Sequence, residues 1–226
     1  MARIHLFEFE DQTWFPSFIR NYMTDFLGFT VTQFTFFDGI IPLLKKGLDK
    51  SGGKTIIDLA SGGGGPWKRL GPKLKSETQD IKIILTDYFP NIPAFEKVMA
   101  IDSDLFRYEK KSINALDVPK DLKGFRTQFL SFHHFQPDEA RRILQNAVDF
   151  QMPVGIFEAQ KRDAKHLIQF FFSPINVILF TPFIRPFSLF RLIFTYLIPI
   201  VPICVWWDGI VSVLRTYSVE EMKTMV

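Results

Sequence analysis

The chain predicts an α/β fold, a doubly wound and mostly parallel sheet with helices on both faces. Three observations carry that prediction. Short apolar runs alternate with helix-period segments between residues 55 and 159, the pattern of strands joined by crossover helices. The first run leads into four consecutive glycines, Gly62 to Gly65, which permit positive φ and let a ligand lie against bare main chain. The runs at 81–85 and 113–116 are each followed by an aspartate, Asp87 and Asp117.

The elements follow in order. Residues 14–50 read as helical, because "WFPSFIRNYMTDFLGF" and "FFDGIIPLLKKGLDK" repeat apolar residues at three- and four-residue intervals. Ser51, Gly52 and Gly53 stop the second helix. Thr55–Leu59 is a short β-branched strand. Pro66 stands where proline favours a helix start, and "PWKRLGPKLK" predicts a short basic helix broken near Gly71-Pro72. "IKIIL" (81–85) is the second strand. A loop or helix with Pro90 and Pro93 leads to "INAL" (113–116), read as a weak third strand ending at Asp117. "FRTQFLSF" (125–132) is the fourth. "QPDEARRILQNAV" carries proline and two acids in its first turn and reads as a helix. "PVGIFEA" (153–159) is the fifth strand.

Composition narrows the function classes. A net charge of +3, with Lys and Arg scattered, gives no footprint for nucleic acid. One cysteine, Cys204, allows no internal disulfide and fits a reducing compartment. The N-terminal "MARIHLFEFEDQTWF" carries Glu8, Glu10 and Asp11 without a continuous apolar run, so it does not read as a secretory signal. The content of 26 Phe is heavy, and residues 164–207 hold much of it.

The glycines sit between the first strand and the following helix. Dinucleotide sites want G-x-G-x-x-G with an acid about 20 residues on. Here Asp58, Ala60, Gly62 and Gly64 give D-x-A-x-G-x-G, and Pro66-Trp67 replaces the third glycine. This pattern resembles the first motif of the class I, Rossmann-like S-adenosylmethionine-dependent methyltransferases. The resemblance covers residues 50–160. It implies S-adenosyl-L-methionine as cofactor, with Asp87 on the ribose hydroxyls and Asp117 on the adenine amine. A carboxylate accepts two hydrogen bonds from a vicinal diol, and an aspartate accepts from an exocyclic amine. The implied cofactor set is Asp58, Ala60, Ser61, Gly62, Gly63, Gly64, Asp87, Tyr88, Asp117 and Ser131. Arg20 is added from an N-terminal helical lid, to reach the methionyl carboxylate. No metal is implied.

On this reading residues 1–50 form the lid, 51–163 the cofactor-binding core, 164–207 an apolar helical insertion after the fifth strand, and 208–226 a C-terminal helical segment of the core. Ser218 with Glu221 forms a capping box that opens its helix. The family sheet ends in an antiparallel hairpin, for which the chain shows no sequence.

Methyl transfer is an in-line displacement that needs alignment and desolvation. A hydroxyl or amine acceptor also gains from a base. His134 or His133, after the fourth strand, is the first choice, and Glu158, ending the fifth, the second. Glu158 alternatively pairs with Lys161 or Arg162. Asp208 reads as a helix cap.

Between Leu167 and Trp207 the only charges are Arg185 and Arg191, and five prolines divide the stretch. Each uncharged run is at or below the roughly 20 residues a spanning helix needs. Short helices lying in a membrane surface are the preferred reading, with the arginines among phosphate headgroups. A substrate lid, a dimer interface and a re-entrant hairpin are the alternatives. The expected protein is thus a methyltransferase, peripheral on the cytoplasmic side of a membrane, with a lipid or small-molecule acceptor. The alternatives are an inactive methyltransferase-fold binding or assembly protein on a membrane, and a nicotinamide-dependent oxidoreductase, which the glycine spacing and Pro66 disfavour.

Overall fold

The computed structural model describes residues 1–225. The chain divides into two compact units, residues 31–159 with the C-terminal tail from Met222, and residues 1–30 with 160–221. Helix α1 (Ser17–Gln33) belongs mainly to the second.

The first unit is α/β and Rossmann-like. Its strands β1 (Thr55–Asp58), β2 (Lys82–Leu85), β3 (Phe106–Tyr108), β4 (Phe125–Phe129) and β5 (Val154–Phe157) form one parallel sheet in the order β3-β2-β1-β4-β5. Helix α2 (Ile41–Ser51) precedes β1, and α3 (Trp67–Glu77), α4 (Ile92–Met99) and α5 (Pro137–Asp149) are the crossovers. Right-handed connections put α3 and α4 on one face and α5 on the other, which is the double winding.

Alternation along the strands builds the core. Ile56, Ile83, Leu85, Phe106, Phe125 and Phe129 face Leu44 and Leu48 of α2, Trp67, Leu70 and Leu74 of α3, and Phe95 and Val98 of α4. Each such burial stabilises by about 1.5–3 kcal/mol. Asn91 caps α4, its Oδ1 accepting from the Ala94 N–H at 3.2 Å. Helix α5 starts where Glu139 accepts the Gln136 N–H at 2.8 Å.

Three local expectations are corrected. The third strand is Phe106–Tyr108, paired with Ile83–Leu85, and not 113–116. Ile113 does reach the Asp87 carbonyl, at 2.9 Å. Asn114 then takes the chain out of the sheet, its Oδ1 and carbonyl accepting from Leu116 and Asp117 at 3.0 Å each. A side chain that bonds its own backbone competes with a ladder. Helix α3 runs unbroken through Gly71-Pro72, and Gly71 lets it close onto Phe106 and Leu105. Strand β4 stops at Phe129, and a 3-10 turn, Phe132–His134, follows. Among the described residues the sheet contains no antiparallel hairpin.

The second unit holds most of α1 with α6 (Ala164–Phe171), α7 (Ser173–Phe180), α8 (Leu189–Leu192) continuing as a π turn to Leu197, α9 (Ile200–Arg215) and the start of α10 (Val219–Lys223). Its core joins Ile19, Met23 and Phe26 to Val177, Ile184, Val201 and Val205. By their contacts, residues 31–50 group with the sheet unit and 208–221 with the helical unit.

Polar contacts explain the second of these groupings. Asp208 accepts the Phe9 and Glu10 amides at 2.7 and 3.1 Å. It caps the 3-10 turn Phe9–Asp11 from the middle of α9, and burial raises its pKa to about 7. Arg215 pairs with Asp11 at 2.6 Å and Glu8 at 3.3 Å. Arg162 reaches Glu221 at 2.7 Å. The Ser218–Glu221 capping box forms, with bonds of 2.8 and 3.1 Å.

Candidate functional site at the head of the sheet

The strand order reverses between β1 and β4. In doubly wound sheets the crevice beyond such a switch point is where ligands bind. Both strands leave it through a strained non-glycine residue. Ala60 has φ 58° and Leu130 φ 50°, a left-handed conformation costing roughly 1–2 kcal/mol for an L-residue. Strain of this kind persists where surroundings enforce it and clusters at functional sites.

The glycine run forms the turn after β1. Gly62, Gly64 and Gly65 take φ of 53°, 93° and 48°. A Cβ on Gly64 would lie 2.5 Å from Val98 Cγ2, whereas at Gly62 and Gly65 nothing lies within 4 Å. The turn therefore closes on α4 at one glycine and stays open at two. The Ser61, Gly62 and Gly64 amides are engaged by Thr86 O, Asp87 Oδ2 and Ser61 O. Among the described residues no hydrogen bond engages the Gly63 and Gly65 amides, and Pro66 has none to offer. Two unengaged amides in a left-handed turn before a helix are donors for an electron-rich ligand atom.

Asp58 braces this turn from inside. It is 1% exposed. Its Oδ2 accepts from Ser61 Oγ at 2.6 Å and its Oδ1 from Thr127 Oγ1 at 2.7 Å. Thr86 Oγ1 donates to its carbonyl at 2.9 Å. Both carboxylate oxygens are thus turned into the protein, and Asp58 shapes the site without facing a ligand. Thr86 and Thr127, absent from the sequence-based set, are the other halves of this clamp. Their only signal is a threonine beside or opposite a strand-end acid.

Burial raises the Asp58 pKa to about 7, against the lowering effect of the Ser61 and Thr127 hydroxyls. The native state then holds a proton that the unfolded chain releases near pH 4. The stabilisation is complete below pH 4 and is lost as pH rises through 7. Asp58→Asn keeps the shape and removes the titration. We expect the stability of the Asn variant relative to wild type to grow by on the order of 3 kcal/mol from pH 4.5 to 8 in urea titrations. A pH-independent difference would contradict this protonation.

Asp87 faces the turn. Its Oδ2 accepts the Gly62 N–H and its Oδ1 the Phe89 N–H, each at 2.8 Å, leaving lone pairs for further donors. Burial pushes its pKa up. Tyr88 is 55% exposed and packs edge-on against Phe89 at 4.7 Å. Asp117 is exposed on the 114–117 turn, beyond the amide that binds the Asp87 carbonyl. Its carboxylate makes no hydrogen bond among the described residues. It lies nine residues past the end of β3. Ser131 is buried, and its Oγ has no hydrogen-bond partner.

Beyond β4, His133 is 3% exposed. Its Nδ1 lies 3.0 Å from both Glu158 oxygens, and its backbone N–H donates to Oε1 at 3.1 Å. Glu158 follows β5, so adjacent strands β4 and β5 bring the pair together. A carboxylate only accepts, so Nδ1 carries a proton, and in the neutral ring the lone pair is then at Nε2. His134 is half-buried, its ring 4.3 Å from that of His133. Of the two partners weighed for Glu158, Arg162 pairs with Glu221 instead.

Arg20 lies in the helical unit. Its Nε donates to Glu10 O at 3.0 Å and its Nη2 to Gln12 O at 2.7 Å. It ties α1 to the preceding segment through Nε and Nη2.

Comparison with protein-family models, with curated proteins and with solved structures finds no match for this chain.

Proposed function

We propose that the sheet unit binds S-adenosyl-L-methionine, and that the protein is a methyltransferase acting on a lipophilic or small-molecule acceptor at a membrane surface. The observation that carries this is the left-handed glycine turn at the β1/β4 switch point, with the unengaged Gly63 and Gly65 amides and Asp87 folded onto it. The open space at Gly62 and Gly65 and the partnerless Ser131 hydroxyl fit a polar nucleoside-type ligand. The cofactor supplies a methyl group on a sulfonium, which departs as a neutral thioether.

The chain's residues do the rest. Asp87 accepts from the ribose hydroxyls, and the turn amides donate. Asp117, on the turn after Ile113, accepts from the adenine amine. His133 takes the acceptor's proton at Nε2 while Glu158 holds Nδ1–H, fixing the tautomer and stabilising the imidazolium. His134 adds a second imidazole beside it.

The membrane part rests on the helical unit's surface. Phe171, Phe172, Phe183, Phe187, Phe190, Leu189 and Leu197 are each more than half exposed, a display that marks an interaction surface. Among the described residues no single helix is long and apolar enough to cross a membrane. The pairs Ala164–Phe171 with Ser173–Phe183 and Leu189–Leu197 with Ile200–Arg215 bend by 42° and 74°. Bent, short apolar helices suit the plane of a bilayer surface. Arg185 is exposed and free to meet headgroups. Arg191 is not: it is 2% exposed, bound to Asp25 at 2.8 Å and to the Ile184 and Pro186 carbonyls at 2.7 Å each. Arg191 therefore lies inside the unit and not among headgroup phosphates.

The expected result is that the protein floats with phospholipid vesicles and transfers label from methyl-labelled S-adenosylmethionine into a membrane lipid extract. Phe183→Asp with Phe190→Asp should abolish flotation. Flotation unaffected by this pair removes the interfacial reading. Cofactor binding with no transfer to any fraction points to an inactive binding protein.

A further inference from the structure

The sheet's opposite end holds a second feature. A cavity of about 300 Å³ opens at the N-terminal end of β4, lined by Lys120, Lys123, Arg126, Asp149 and Phe150 among others. Arg126 is 1% exposed. Its Nη1 donates to Asn146 Oδ1 at 2.6 Å, but among the described residues Nε and Nη2 have no hydrogen-bond partner. Among the described residues no carboxylate lies within ion-pair distance of it. Asp149, the acid at the rim, accepts from Gln145 Nε2 at 2.7 Å. Lys120 Nζ and the Arg126 guanidinium both stand 5.6 Å from the centre of the Phe150 ring. Three cations and one acid thus surround the cavity.

An uncompensated buried charge is strongly unfavourable, and burial depresses the Arg126 pKa accordingly. Two adjacent unsatisfied N–H groups of a guanidinium match two oxygens of an oxyanion.

We propose that this cavity binds a phosphate group, with Arg126 Nε and Nη2 gripping two of its oxygens and Lys120 and Lys123 neutralising the remainder. The site is independent of the glycine turn, which lies at the other end of the strands. The two arginine nitrogens are shielded from water, so entry requires side chains at the rim to swing aside. A multiply charged tetrahedral anion satisfies three cations better than a carboxylate does.

The test is calorimetric titration of the full chain with inorganic phosphate at fixed ionic strength. We expect saturable binding, weakened about tenfold in Lys120→Ala/Lys123→Ala, as expected from losing charge-assisted contacts, and abolished in Arg126→Gln. The lysine variant changes exposed side chains only, so the proposal stays falsifiable if Arg126→Gln does not fold. Competition of phosphate by a soluble short-chain phosphatidic acid assigns a lipid headgroup as the source. Competition by glycerol phosphate alone assigns a free ester. No saturable heat in the wild type, or unchanged affinity in the lysine variant, overturns the site.

Discussion

Asp87→Ala is expected to weaken binding of S-adenosylhomocysteine by at least about 100-fold, since each charge-assisted hydrogen bond to the ribose diol is worth roughly 1.5–3 kcal/mol and 1.4 kcal/mol is a factor of ten. The same substitution frees the Gly62 amide that Oδ2 now holds at 2.8 Å, so the turn loses order along with its acceptor. Asp87→Asn separates the two effects. One amide oxygen can keep a single backbone bond, and the carboxylate charge is gone. The variant should bind between wild type and Ala. Urea unfolding of both variants checks that the fold is intact. Unchanged affinity in Asp87→Ala would mean that the nucleoside, if bound, does not rest on this acid.

The second large effect is on turnover. Glu158→Gln removes the carboxylate that holds His133 Nδ1–H at 3.0 Å. A glutamine amide can donate to Nδ1 and so favour the wrong tautomer. Methyl transfer into the lipid extract should fall by about 10²–10⁴, the usual worth of a positioned general base, for Glu158→Gln and His133→Ala alike. Affinity for S-adenosylhomocysteine should stay within about threefold, because neither group is asked to bind the nucleoside. The double variant should lose no more than either single one, because the pair acts as a unit. Full activity in His133→Ala would reduce the pair to a buried strut tying β4 to β5, and His134→Ala would then carry the base assignment.

The sheet was legible where its signals were local. Strands β1, β2, β4 and β5 announce themselves by apolar runs, and α5 by its proline and acids. Among the described residues, the glycine run marks the one turn where several left-handed residues gather. Strand β3 was missed because three residues, Phe106, Arg107 and Tyr108, carry too little alternation to read. "INAL" imitates a strand until the Asn114 side chain bonds its own backbone, a choice made by geometry and not by propensity. The His133–Glu158 contact required the β4–β5 register, which no local pattern specifies. The roles of Asp58 and Arg20 turned on which way a side chain points. Both look like ligand residues in sequence; Asp58 is enclosed by Ser61 and Thr127, and Arg20 gives its Nε and Nη2 to main-chain carbonyls. Residues 208–221 group with the helical unit because Asp208 and Arg215 find partners some 200 positions away.

The most direct measurement is a calorimetric titration of the wild-type chain with S-adenosylhomocysteine, with NADH as comparator. The glycine-turn assignment predicts binding in the micromolar range, the affinity ordinary for a cofactor of this size, and weaker or absent binding of NADH. No heat from S-adenosylhomocysteine with a demonstrably folded chain, or tighter binding of NADH, contradicts it.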